Sequence, residues 1–285
     1  MVTLPDNTTE TVHLAPTTKR PSGSPPTPCL FSGNLSSDPH SLIVVSGCHD
    51  SKELEVSIAS TKIPGGVMDI SIIDGIHQVI DHEESRQISG DNNDELTPKP
   101  NPNPPKPLSG STTLPKKVTV EMTINYDDKL LNHFGRDFDK VNEHLDKILS
   151  IAQVRYHSPD LPFKIDIKPV EDYKHHFIEI VASGPFLEQL KRQFRPKKLM
   201  TWFGRYACSP GDQCYTGMAE IGAACRTDGQ GVSINMVRDD NFLTARTFAH
   251  EFGHNLGMWW VQAFLLEYSF RICLRSSGSR GEENQ

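Results

Sequence analysis

The sequence predicts an α/β protein, a mixed sheet with helices packed against it, preceded by a small and mostly β unit. Three observations lead there. Apolar and polar residues alternate in short runs between Leu42 and Ile80, and again from Val118. Two later segments, 138–156 and 240–257, repeat their apolar positions at three and four instead. Between the two regions, Pro98 to Pro107 places six prolines in ten residues, the composition of a semi-rigid and cleavable spacer.

Taken in order, residues 1–41 are rich in Thr, Ser and Pro without periodicity and are expected to carry little order. Residues 42–90 hold the β unit. Leu42-Ile43-Val44-Val45 is a short apolar strand, Leu54 to Ser60 and Val67 to Ile73 alternate, Asp74-Gly75 turns the chain, and Ile76 to Ile80 returns. Residues 91–117 form the linker. The second domain runs over 118–258. Val118 to Ile124 has a strand's period of two, and Phe138 to Tyr156 sets Val141, Leu145, Ile148, Leu149 and Ala152 on one helical face with charges opposite. Phe163–Ile167, Phe177–Val181 and Leu199–Phe203 read as strands, and Pro185–Phe194 as a short helix; His175 and His176 read as surface or strand-end residues. Strands alternating with helices call for helices laid against a sheet. Residues 259–285 form an atypical tail.

At 285 residues the chain is long enough for a sizeable core, while 36% hydrophobic content and 21 prolines assign part of it to loop. A net charge of −7 leaves no basic footprint for nucleic acid. The apolar run Trp259 to Leu266 is too short, and too interrupted by Gln262, Glu267 and Arg271, to span a membrane. Six cysteines, with Asn7-Thr8-Thr9 and Asn34-Leu35-Ser36 as glycosylation acceptors, lean towards an extracellular protein. The first ten residues have neither a basic nor an apolar leader segment, so the true start is expected upstream.

The chemistry lies in His250-Glu251-Phe252-Gly253-His254, on a helix that Asp239 or Asp240 can cap and whose positions Ala245, Phe248, Ala249, Phe252 and Leu256 form the buried stripe. His250 and His254, one turn apart, can reach one ion, and Glu251 beside them is placed to take a proton from a metal-bound water. In a chain of this composition the five-residue pattern is expected by chance only roughly 0.03 times. The competing reading is an amphipathic helix whose histidines merely pack.

The run Thr247 to Met258 closely resembles the adamalysin (reprolysin) branch of the metzincin metalloproteases, the ADAM-type enzymes among them. Gly217 to Cys225 resembles that family's edge-strand segment, and Leu42 to His82, with Gly47-Cys48-His49-Asp50, is similar to its propeptide. The resemblance implies a metzincin-like fold and a secreted zymogen. It implies Zn2+ held by His250 and His254, Glu251 as general base, and a peptide or protein substrate paired as an added strand along Gly217, Met218 and Ala219. It also implies contact between the propeptide and the catalytic domain.

Three departures from the family pattern bear on activity. The third zinc histidine of the signature falls at position 260, where this chain has Trp260; Glu267 and Cys273 are the chemically able substitutes. The methionine turn is missing after Met258, the family's C-terminal subdomain is not present in 259–285, and a truncated or mistaken end is expected. No cysteine lies between Cys48 and Cys208 to block the zinc, and the linker carries no Arg-x-x-Arg processing site, with Lys116-Lys117 as a dibasic substitute. Cys225 is expected unpaired or joined to Cys273, with Cys208 and Cys214 closing a short loop. The leading function is therefore a zinc metalloendopeptidase, inactive as written. Its rival is a truncated, non-catalytic secreted protein that binds or competes for a protease's partners.

Overall fold

The computed structural model describes residues 1–17, 27–47, 53–73, 76–80, 116–205, 215–226 and 228–258. Among them, the first sheet is an antiparallel meander of six strands: β3 (Val12–Pro16), β4 (Leu30–Leu35), β5 (Asp38–Ser46), β6 (Glu53–Ala59), β7 (Val67–Ile73) and β8 (Ile76–Val79). A two-stranded ribbon, β1 (Val2–Thr3) with β2 (Thr9–Glu10), precedes it. Period-two alternation gives the meander two working faces. Ile43, Val56, Ile58, Met68 and Ile70 point one way and are covered by Val2 and Leu4. Val44, Ala59 and Leu30 point the other way.

The expected disorder before Leu42 is corrected here: β3 and β4 pair in register onto β5, Val12 with Leu35 and Phe31 with Val45. A register shift between Gly33 and Leu35 breaks the alternation that would have marked β4. The turn expected at Asp74-Gly75, the linker up to residue 115 and the tail from Trp259 lie outside the described residues.

The second sheet is mixed, in the order β10-β9-β12-β14-β13, from β9 (Lys117–Asp127), β10 (Lys164–Pro169), β12 (Leu199–Gly204), β13 (Gly217–Ala219) and β14 (Val232–Met236). All pairings are parallel except β13 against β14, and β11 (Lys174–His176) adds to the far end of β9. Parallel strands need crossovers, and the helices supply them. Helix α1 (Asp128–His133) follows β9, and α2 (Phe138–Arg155) leads back to β10. Helix α3 (Gly184–Phe194) precedes β12, and α4 (Asn241–Asn255) follows β14. Helices α2 and α4 cover one face over Met122, Ile124, Tyr126 and Phe203. Helix α3 covers the other, where Trp202, Val232 and Ile234 lie.

Two readings change. Residues 177–181 are not a strand. Asp127 leaves the sheet to cap α1, accepting from the N–H of Leu130, and its second oxygen accepts from the N–H of Ile180, so the chain bends away with Phe177 exposed. His175 and His176 end β11, one of the two placements expected of them, and are half-buried. Strand β14 was not among the strands read from the sequence, although Val232, Ile234 and Met236 alternate as a strand's do.

The charged side of α2 faces water only at its start, where Asp139 and Lys140 are exposed; Asp146 and Arg155 further along are buried. The meander packs on it, with Val154 joining Leu30, Val44 and Ala59. Arg155 Nη2 lies 2.6 Å from Asp69 Oδ2, and both side chains are almost fully buried. Asp146 accepts from Thr27 and Tyr173. No described helix is long and apolar enough to cross a membrane.

Candidate metal and peptidase site

Helix α4 starts where Asp240 accepts from the N–H of Leu243 at 3.0 Å, the second of the two caps expected. Ala245, Phe248, Ala249, Phe252 and Leu256 are buried, as the spacing predicts, and Phe242 joins them. Phe248 meets Phe203 at 5.5 Å between ring centroids, and Phe252 meets Tyr156 edge-on at 5.2 Å. Tyr156 donates its hydroxyl to the Ala249 carbonyl at 2.6 Å, one residue before His250, and burial pushes its ionisation far above the usual tyrosine range. The aromatic packing fixes the rotation of α4 about its axis, and hence where the remaining face points.

That face carries the three predicted residues. His250 and His254 bring their Nε2 atoms to 3.0 Å, with the rings nearly perpendicular at 84°. His254 Nδ1 lies 2.8 Å from the Met258 carbonyl, which can only accept. The proton therefore sits on Nδ1, and Nε2 presents its lone pair. The Met258 carbonyl reaches this position because Gly257, at φ +96°, takes the left-handed conformation that ends the helix, while the N–H groups of Gly257 and Met258 bond back to His254 and Gly253.

Glu251 is 3% exposed and lies against the edge strand. A Cβ built on Gly217 would come within 2.6 Å of Glu251 Cγ and Oε1, so the slot for this side chain exists because position 217 has none. The segment after β13 is tied to the same helix end. The Gly222 N–H donates to the His254 carbonyl at 2.8 Å, and Asn255 Nδ2 donates to the Glu220 carbonyl at 2.9 Å. Glu220 in turn pairs at 2.6 Å with Lys191, which is buried and also meets Glu188. Gly217, Met218 and Ala219 thus stand beside His250, Glu251 and His254 at the sheet's outer edge.

The sequence reading missed Tyr156, Asn255 and Lys191. Helical spacing puts Tyr156 at the end of α2 without indicating its partner 93 residues on. Asn255, immediately after a metal-motif histidine, is the one of the three that its position could have flagged.

In the contact between the rings His254 Nε2 accepts from His250 Nε2; with that proton moved to His250 Nδ1, the two nitrogens would offer a zinc ion two corners of a tetrahedron. Among the described residues no group of three or more His, Cys, Asp or Glu side chains is placed to hold a metal ion. Trp260, Glu267 and Cys273 lie outside those residues, as do Cys208, Cys214 and the side chain of Cys225. Cys29 is disulfide-bonded.

No curated protein matches the sequence. One solved chain, from the "Structure of a chaperone-substrate complex", is similar over 50% of this chain at 15% identity and a TM-score of 0.37, too slight a likeness to bear on function; this chain spans 26% of its length. Residues 192–259 match the sequence profile described as metallo-peptidase family M12B, reprolysin-like. The match runs from the end of α3 through both site elements, β13 and α4. Over that segment the chain is similar to the reprolysin-like metallopeptidases.

Proposed function

We propose that the site is a zinc metalloendopeptidase centre of the adamalysin type, in which His250 and His254 hold the ion and Glu251 is the general base. The observation that carries the reading is the approach of the two Nε2 atoms to 3.0 Å beside a buried carboxylate lodged under an edge strand. Bound zinc supplies polarisation of a peptide carbonyl and a water of lowered pKa. The chain's own groups do the rest. Hydrogen bonding to Met258 keeps His254 Nε2 unprotonated, and Glu251 takes the water's proton and passes it to the departing amine nitrogen. The outer edge of Gly217–Ala219 holds the substrate extended by backbone pairing. The meander is the propeptide of a secreted zymogen and rests on α2 through Asp69 and Arg155.

With Trp260 where the family motif has its third histidine, the chain as written binds zinc loosely and cleaves peptides barely. An indole offers only a donor, and two ligands leave the ion's orientation to Glu251 unfixed. The same substitution supports the second reading, a non-catalytic protein that binds or competes for a protease's partners. Zinc stoichiometry after dialysis and chelator-sensitive peptide cleavage, with Glu251→Gln as control, decide between them. Substoichiometric zinc and no difference between the two proteins are expected. Robust cleavage abolished by Glu251→Gln would overturn the inactive reading and direct the search for a third ligand to Glu267 and Cys273.

A further inference from the structure

The meander's grip on α2 is built differently from a passive packing contact. Asp69 is fully buried on β7, where it also accepts from Ser57 on β6, and it faces α2 because its neighbours Met68 and Ile70 take the opposite face. Arg155, in the last turn of α2, is almost as sequestered, and its Nη1 is buried with no hydrogen-bond partner among the described residues. The guanidinium therefore depends on Asp69 for its charge compensation. Removing one member of such a pair leaves an uncompensated buried charge, a far larger cost than the pair's own net contribution.

The remaining contacts surround this pair. Apolar Leu30, Val44 and Ala59 close on Val154. Lys164 Nζ donates to the His40 carbonyl at 2.6 Å, and Asn241 Nδ2 donates to Glu55 at 2.8 and 2.9 Å. Asn241 is the first residue of α4, and His254 lies thirteen residues further, about 20 Å along the helix axis. The Glu55–Asn241 contact thus sits at the end of α4 away from the metal-motif histidines.

We propose that the β3–β8 meander is a stably docked partner of the mixed-sheet unit, anchored by Asp69 on Arg155, and that it stays bound when the chain connecting them is cut. The inference rests on the propeptide reading and adds that scission of the connection does not by itself release the propeptide. Departure returns both charges to water, so it is the packing that opposes it, while the pair makes docking selective: with either partner missing, the docked state holds an uncompensated buried charge.

The test uses the full chain with residues 99–105 replaced by the recognition sequence of a site-specific protease. After complete cutting, the two fragments are expected to co-elute in gel filtration at about 1 μM, the regime of a stable complex. Separation of the wild-type fragments there would overturn the proposal. Asp69→Asn is expected to weaken association about 100-fold, matching the loss of one partner of a buried pair. Unaltered circular dichroism of its uncut form establishes that it folds, and Arg155→Gln makes the same test from the other side. If fragments of both variants co-elute as tightly as wild type, Asp69–Arg155 is not the anchor. The paired change Asp69→Leu with Arg155→Met removes both charges and is expected to restore co-elution; its failure would assign the effect to packing and refute the charge argument. None of these readings depends on zinc or cleavage, so they fail or succeed independently of the peptidase assignment.

Discussion

A single missing side chain determines where the Glu251 carboxylate can lie. Gly217 leaves room for the Glu251 carboxylate between α4 and the edge strand, and a methyl group there would meet Glu251 Cγ and Oε1 at 2.6 Å. Moving the carboxylate outward takes it from its buried slot, and moving the strand breaks its pairing with Asn235. Gly217→Ala is therefore expected to destabilise the protein by about 1–3 kcal/mol through overpacking. In the background of Glu251→Ala, where the obstruction is gone, most of that cost should disappear. A thermal-denaturation double-mutant cycle measures the coupling, and an equal cost in both backgrounds would show that the two residues do not compete for space.

At the level of elements, the site is a joint between one helix end and one short strand. The last carbonyls of α4 have no partners within the helix. The loop after β13 meets one of them, the His254 carbonyl, through the Gly222 N–H, and the helix returns the contact through Asn255, whose side chain donates to the Glu220 carbonyl. Asn255→Ala is expected to cost about 2 kcal/mol, since it leaves buried carbonyl groups unsatisfied. It should also speed amide hydrogen exchange at Met218 to Gly222 ahead of the rest of the sheet. Uniform exchange across β12, β13 and β14 would count against the joint. Such elements differ in how far the sequence announces them. Helix α4 is legible because its apolar stripe, its Asp240 cap and its paired histidines agree on one helix and one face. Gly217 to Ala219 is found only through resemblance, since three residues carry no period. Strand β4 is hidden by the register shift after Gly33, and the segment 177–181 is misread because a capping carboxylate, Asp127, overrides a strand-like pattern from fifty residues away. The role of Arg155 is equally invisible: a charged residue on the outer face of an amphipathic helix reads as solvated until a second sheet is known to cover it.

Across the whole molecule, the two sheets are opposites in how far along the chain their neighbours come from. Every adjacent pair in the β3–β8 meander is also adjacent in sequence, whereas β9 pairs with β12 across more than seventy residues and β12 with β14 across about thirty. Loop closure must precede each parallel pairing, so the mixed sheet has the slower route to its native order, and the meander, also made first during synthesis, has the faster one. The asymmetry gives α2 a surface to condense on before its own sheet is complete, with Asp69 already held by Ser57 and awaiting a counter-charge. Pulse-labelled refolding is expected to protect the amides of β5 to β7 first and those of β12 and β14 last, with α2 in between. In Asp69→Asn the protection of α2 should be delayed towards that of β12, because the early template then offers no compensation for Arg155. The buried ion pair is thus a matter of timing as well as of holding: it sets which half of the chain waits for the other.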